Sequence, residues 1–258
     1  MLTIKNLSYN LNNKIIFNNI SATFNDGEII GITGSAGSGK SSFINLLRNS
    51  AKDYSGSISI NDSNIKTTNK KILKKIISHY SLIENSINPE SITKELILSG
   101  RIKHKKRLSP YSEMDKEIAR RVMINFELEK FAEIRLKMIS ESSRKMSSIA
   151  KTFSAQTDIL MLEKPDAGLN INQRVVLSKA IKKYTSTGSR IVILTSTDLN
   201  FIAGTCDRII VLADNSIAES GTHKIITADF VKKYFNIEAV VTRNIYSGLP
   251  EIQIIEEN

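Results

Sequence analysis

The sequence predicts an α/β fold with a mostly parallel core sheet, an antiparallel β accessory layer and a helical insertion over about residues 90–152. Three patterns predict it. Short β-branched runs recur at residues 29–32, 159–162, 191–194 and 209–212. Runs of about four apolar residues bounded by polar residues or glycine mark strands buried on both faces, as parallel strands are. Longer segments with helical spacing of apolar residues lie between them. The opening differs, because residues 2–9 and 16–24 alternate and residues 55–60 interleave Ser and Gly with Ile. That is the pattern of antiparallel strands flanking the sheet.

In chain order, the alternating opening gives way to a strand at residues 29–33, a glycine-rich loop and a helix carrying Phe43, Ile44, Leu46 and Leu47. A helix is expected from near Tyr111, with Met114, Ile118, Val122 and Phe126 on one face. Another follows Ser140, with Met146, Ile149, Ala150 and Phe153 on one face. No repeat and no linker rich in Pro, Gly or Ser divides the chain, so one domain over residues 1–258 is expected.

The chain has 258 residues, 41% apolar and 24% charged, enough to bury a sizeable core. Disordered, collagen-like and disulfide-stapled classes are excluded on these numbers. Lys plus Arg outnumber Asp plus Glu by 36 to 26, a formal charge of +10. That balance favours an anionic partner: nucleic acid, phosphate or a membrane surface. The single Cys206 excludes an intramolecular disulfide and fits a reducing cytosol. The first ten residues show no signal-peptide core, and no stretch approaches the ~18 apolar residues of a membrane span. A soluble intracellular protein is expected.

The sharpest local signal is Gly34, Ser35, Ala36, Gly37, Ser38, Gly39, Lys40 and Ser41, followed by Ser42. This is G-x-x-x-x-G-K-[ST] between a strand and a helix, the context that turns a motif into a phosphate loop. Its backbone N–H groups turn inward around a phosphate, and the helix N-terminus adds partial positive charge. Lys40 would reach the β- and γ-phosphates and the Ser41 hydroxyl would ligate Mg²⁺. The expected ligands are therefore ATP and Mg²⁺.

Downstream the chain resembles the ATP-binding-cassette ATPases of ABC transporters, nearly end to end. The resemblance is greatest to the ATPases of importers for ferric siderophores, haem and cobalamin. Residues 95–101 (ELILSGR) resemble that subfamily's E-L-V-x-x-G-R stretch, and residues 107–110 (RLSP) its R-L-[ST]-x segment. The tail from Gly221 to Pro250 resembles its G-x-P-x-x-[VI] to G-x-P ending. The resemblance implies a P-loop NTPase of ABC type, a helical subdomain inserted in a RecA-like core, and a place on the cytoplasmic face of the cell membrane. It implies transmembrane permease subunits and a second cassette as partners, in a homo- or heterodimer.

Every catalytic motif after the loop departs from the family pattern. Where the family has Asp-Glu-Pro after the Walker B strand, this chain has Glu163, Lys164 and Pro165. Glu163 keeps a carboxylate for the Mg²⁺ shell, one methylene longer. Lys164 takes the position of the glutamate that polarises the attacking water, and loss of a general base typically costs ~10²–10⁴-fold in rate. Thr197 stands where the family has its switch histidine, and Asn170 where it has the D-loop aspartate. Leu82, Ile83 and Glu84 meet the Q-loop position without a glutamine. The signature L-S-G-G-Q aligns to Ile139, Ser140, Glu141, Ser142 and Ser143, with Glu141 in place of a glycine beside a partner's γ-phosphate. Two like charges at ~4 Å repel by about 4 kcal/mol at an effective dielectric near 20. The family's adenine-stacking aromatic falls at Leu11, with Tyr9 two residues earlier.

Two functions from different classes follow. One is an importer subunit coupling ATP binding to permease movement, with hydrolysis weak or absent, Glu163 or a substrate-assisted route leaving slow turnover open. The other is a catalytically inactive ATP-binding module, regulatory or structural, that pairs with an intact cassette. A nucleic-acid-acting cassette is suggested by charge alone, and no aromatic residues interleave with the basic run at residues 103–107 (KHKKR). That run reads as a solvated loop or a lipid-facing patch. His79, His104 and His223 lack metal-ligand spacing, so no zinc site is expected. Cys206 reads as a small buried residue rather than a nucleophile.

Overall fold

The computed structural model describes residues 1–51, 53–81, 87–105, 109–186 and 188–255. The Q-loop position at Leu82, Ile83 and Glu84 lies outside the described residues, as do residues 106–108 of the basic run and of the RLSP segment. The elements, in order, are strands β1 (Leu2–Leu11), β2 (Lys14–Phe24) and β3 (Ile29–Thr33), helix α1 (Lys40–Leu47), strands β4 (Tyr54–Ile60) and β5 (Ser63–Asn64), helix α2 (Lys70–Ile76) and strand β6 (Ile77–Tyr80). Helices α3 (Thr93–Leu98), α4 (Glu113–Asn125) and α5 (Glu141–Ser154) follow. Then come β7 (Ile159–Glu163), α6 (Ile171–Thr185), β8 (Ile191–Thr195), α7 (Leu199–Thr205), β9 (Arg208–Ala213), β10 (Ser216–Gly221), α8 (Ala228–Phe235), β11 (Ala239–Arg243) and β12 (Pro250–Ile254).

The core sheet runs β10-β9-β3-β8-β7-β6, with only the β10–β9 pair antiparallel. Strands β3, β7, β8 and β9 are apolar in succession because both faces are covered, and alternate residues feed two different cores. In β7, Leu160 and Leu162 join the core under α4–α8, while Ile159 and Met161 join the core shared with α1 and the accessory layer. β8 and β9 divide in the same way. The accessory layer is an antiparallel sheet in the order β2-β1-β4-β5. No helix of the described residues is long and apolar enough to cross a membrane.

Two sequence expectations are corrected here. Met114 is not on the buried face of α4 but 73% exposed, because Ser112 caps the helix and turns Asp115 inward instead. Asp115 accepts from Arg101 Nε at 2.9 Å, both groups being buried. Lys103, within the basic run, is no freely solvated cation: its ammonium donates to the Ile77 carbonyl at 3.2 Å, and burial first, then Arg101 and Lys74, lower it to about 8. Cys206 is buried in the core, and burial raises its thiol pKa.

Candidate nucleotide site

The glycine-rich segment is the turn between β3 and α1, and its shape needs glycine at defined points. Gly34 has φ +142°, and a Cβ there would fall 2.3 Å from the Leu212 carbonyl oxygen of β9. Gly39 has φ +91° as the residue before α1, and a Cβ would meet the Phe17 ring of β2 at 2.9 Å. The loop is thus wedged between the core sheet and the accessory layer. Ser35, Ala36 and Gly37 are exposed at its crest, with Ser38 and Gly39 half-buried below.

Lys40 opens α1 and is buried, its ammonium donating to the Gly34 and Ser35 carbonyls at 2.7 Å each and to Ser38 Oγ at 3.2 Å. Burial, and then the charge of Lys164, lower its pKa to about 8. Ser41 is exposed and Ser42 half-buried on the first turn of α1. A groove of about 390 Å³ runs beside the loop, lined by Ser35–Ser38, residues 14–16, Asn215 and Tyr234 among others. Leu11 is exposed, whereas Tyr9 is buried in the core and offers no ring face to a base.

Parallel register brings the other candidates to the same edge. Ile32 of β3, Thr195 of β8 and Glu163 of β7 stand side by side. The next residues are Thr33, Ser196 and Lys164, and the next after those on β3 and β8 are Gly34 and Thr197. Thr197 is exposed. Lys164 is exposed with φ +44°, its backbone N–H donating to the Thr195 carbonyl at 3.0 Å and Oγ1 at 3.1 Å. The buried Lys145 ammonium donates to the Lys164 carbonyl at 3.2 Å and also to the Ala167 carbonyl.

Sequence reasoning missed His79 as a member of this site. It lies on β6, whose sequence, ISHY, carries no apolar run to announce a strand. Its Nε2 is 2.8 Å from Glu163 Oε1, and its Nδ1 is 2.6 Å from Arg48 Nη1 at the end of α1. Arginine only donates, so Nδ1 accepts and Nε2 carries the proton that Glu163 receives. Among the described residues no hydrogen bond joins Ser41 to Glu163. Glu163 keeps Oε2 for a ligand, but the exposed Lys164 that follows it sets a like charge where the sequence places Mg²⁺ on Ser41 and Glu163, and that charge does not fit the ion.

Among the described residues no hydrogen bond joins the segment aligned with the signature, residues 139–143, to this loop. Ser140 caps α5, accepting from the Ser143 N–H at 3.2 Å, and Glu141 is exposed on the first turn. Asn170 caps α6 reciprocally with Gln173. Asp166 is buried, and burial raises its pKa against the opposing Ser196 hydroxyl, which donates to it at 2.8 Å.

Comparison with known proteins places these features in a setting. The family model described as "ABC transporter" matches residues 17–167, from β2 past Lys164. A Bacillus subtilis (strain 168) protein described as "Probable siderophore transport system ATP-binding protein YusV" is 25% identical over 252 residues, covering 96% of this chain and 90% of its own. Among solved structures, a chain of an ABC transporter in an inward-facing conformation aligns with TM-score 0.78 at 16% identity, over 98% of this chain and 96% of its own. A dimeric ATP-binding cassette bound to ADP and Pi aligns with TM-score 0.74 at 22% identity, over 86% and 98%.

Proposed function

The chain belongs to the ABC transporter family, and on that premise we propose that it is an importer's ATP-binding subunit which holds nucleotide as a clamp, with hydrolysis weak or absent. The carrying observation is a complete phosphate loop at Gly34–Ser41 beside a strand end that carries Lys164 instead of a carboxylate. An ammonium cannot accept a proton from the attacking water while charged, so the position that would supply a base supplies a cation. Thr197, one step beyond Ser196, offers a hydroxyl of short reach where an imidazole would span to a γ-phosphate.

Phosphate binding needs neither the missing base nor the missing switch residue. The loop N–H groups and Lys40 would take the phosphates, and the groove beside them would take the base against Ile15 and Ile16, the first of which is 51% exposed. Closure of two such subunits on bound ATP would pull on a transmembrane permease pair, and slow turnover would hold the pair closed. The cargo read here is an iron–siderophore or related metal chelate. Its support is the ELILSGR and RLSP stretches and tail, together with the named role of the Bacillus subtilis relative. A regulatory module paired with an intact cassette is the second reading, favoured by the loss of base and switch residue in one chain.

Affinity capture of the tagged chain from detergent-solubilised membranes with ATP present tests the assignment. Recovery of a polytopic permease establishes the transport role, and a second cassette with Glu after its Walker B Asp identifies the pairing. Recovery from the soluble fraction alone contradicts the importer reading. Lys164→Glu tests the cause of slow turnover: a gain in ATPase rate of about tenfold or more, out of the ~10²–10⁴ that a base supplies, is expected.

A further inference from the structure

Three side chains at one sheet edge make an unusual set for a phosphate site. Lys164 stands one residue beyond the Ile32–Thr195–Glu163 row, two strands from β3 and therefore ~10 Å across the sheet from the start of the loop. Its backbone is fixed on both sides, by Thr195 and by Lys145, while its side chain is exposed. The neighbouring Glu163 is on the strand face of Ile159 and Met161, the face shared with α1. Its Oε1 takes the His79 Nε2–H at 2.8 Å, and Arg48 holds that ring through Nδ1 at 2.6 Å. Glu163 Oε1 is thus engaged by an imidazole, and the charge presented by the next residue is positive.

We propose that this site holds a nucleoside triphosphate without a divalent cation, the Lys164 ammonium joining Lys40 in neutralising the phosphates while Glu163 stays bound to His79. The inference rests on the nucleotide-clamp reading above and specifies its ion requirement. A compact, mobile ammonium suits the task as a point charge that needs no fixed coordination geometry. A divalent ion at the same place would lie close to the Lys164 ammonium, a like charge, which disfavours it.

Calorimetric titration of the full chain with ATP, in EDTA and in excess MgCl2, tests this. The expected Kd in EDTA is within about tenfold of that in Mg²⁺, that is, within about 1.4 kcal/mol. Lys164→Asn removes the charge and tolerates the positive φ, so it is expected to weaken binding in EDTA by about tenfold or more. Loss of more than about tenfold in affinity on chelation of wild type, or an unchanged EDTA affinity in Lys164→Asn, overturns the proposal. Absence of ATP binding in both buffers overturns the nucleotide reading itself and the ion proposal with it. Binding that is intact in Mg²⁺ and lost only in EDTA overturns the ion proposal and leaves that reading standing.

Discussion

Lys40 and Asp166 carry the site's titration behaviour in opposite senses. Lys40 is held down to about 8 by burial and by Lys164, so a triphosphate that favours the ammonium must draw in a proton above that pH. Nucleotide affinity should be full below about 8 and fall as pH rises past it, and Lys164→Asn should move the falling limb to higher pH. A Kd-versus-pH series on both proteins checks this, and superimposable limbs would contradict the coupling. Asp166 has its pKa raised, chiefly by burial. A carboxyl whose folded pKa exceeds its unfolded value favours the fold in acid and loses that contribution as pH rises through the folded pKa. Asp166→Asn keeps an acceptor for Ser196 and removes a buried charge. Its melting temperature at neutral pH should therefore rise by about 2–4 °C, the effect of ~1 kcal/mol in a chain of this size. In acid, below the unfolded pKa of about 4, the gain should vanish, and a gain that persists there would implicate packing instead.

At the scale of elements, the stretch that most suggests an importer, residues 95–101, acts in this fold as a packing joint. A Cβ at Gly100 would lie 2.1 Å from the Lys151 carbonyl oxygen, so α5 approaches the backbone there directly. Arg101 crosses beneath α5 to donate to the Ser154 carbonyl at 3.0 Å and to Asp115 on α4 at 2.9 Å. Burial works to raise the Asp115 pKa, but the Ser112 and Arg101 hydrogen bonds outweigh it and hold the carboxyl below the usual range. Asp115→Ala would leave a buried guanidinium unpaired and should cost about 3–5 kcal/mol in urea unfolding. A loss below about 1 kcal/mol, the worth of an exposed pair, would mean that the pair does not hold α4 to the insertion. The sequence pattern of α4 was misleading at Met114 for the same reason. The cap at Ser112 fixes the helix phase, and Asp115 takes the inward place at its start.

Across the whole molecule, the parallel strands were legible because covering both sheet faces leaves runs such as residues 159–162 and 191–194 with no polar residue to break them. The glycine-rich turn was legible because its pattern is local: eight consecutive residues, with glycines where φ is positive. The His79–Glu163 pair was not, since it joins residues 84 apart through the β6–β7 register, and ISHY reads as no particular element. The consequence of Lys164 was half legible. Its identity speaks against a base, but only the strand register puts it at the same end of the sheet as the glycine-rich loop.

The central claim is that this fold retains the nucleotide and turns it over slowly or not at all. Incubating the purified chain with one equivalent of ATP and quantifying ATP and ADP by chromatography over time measures it. Bound ATP recovered intact over many minutes is the expected result, whether or not Mg²⁺ is present. Conversion to ADP at rates near the ~1–10 s⁻¹ of ordinary enzymes would contradict the account, because no group at Lys164 or Thr197 supplies the base such a rate requires.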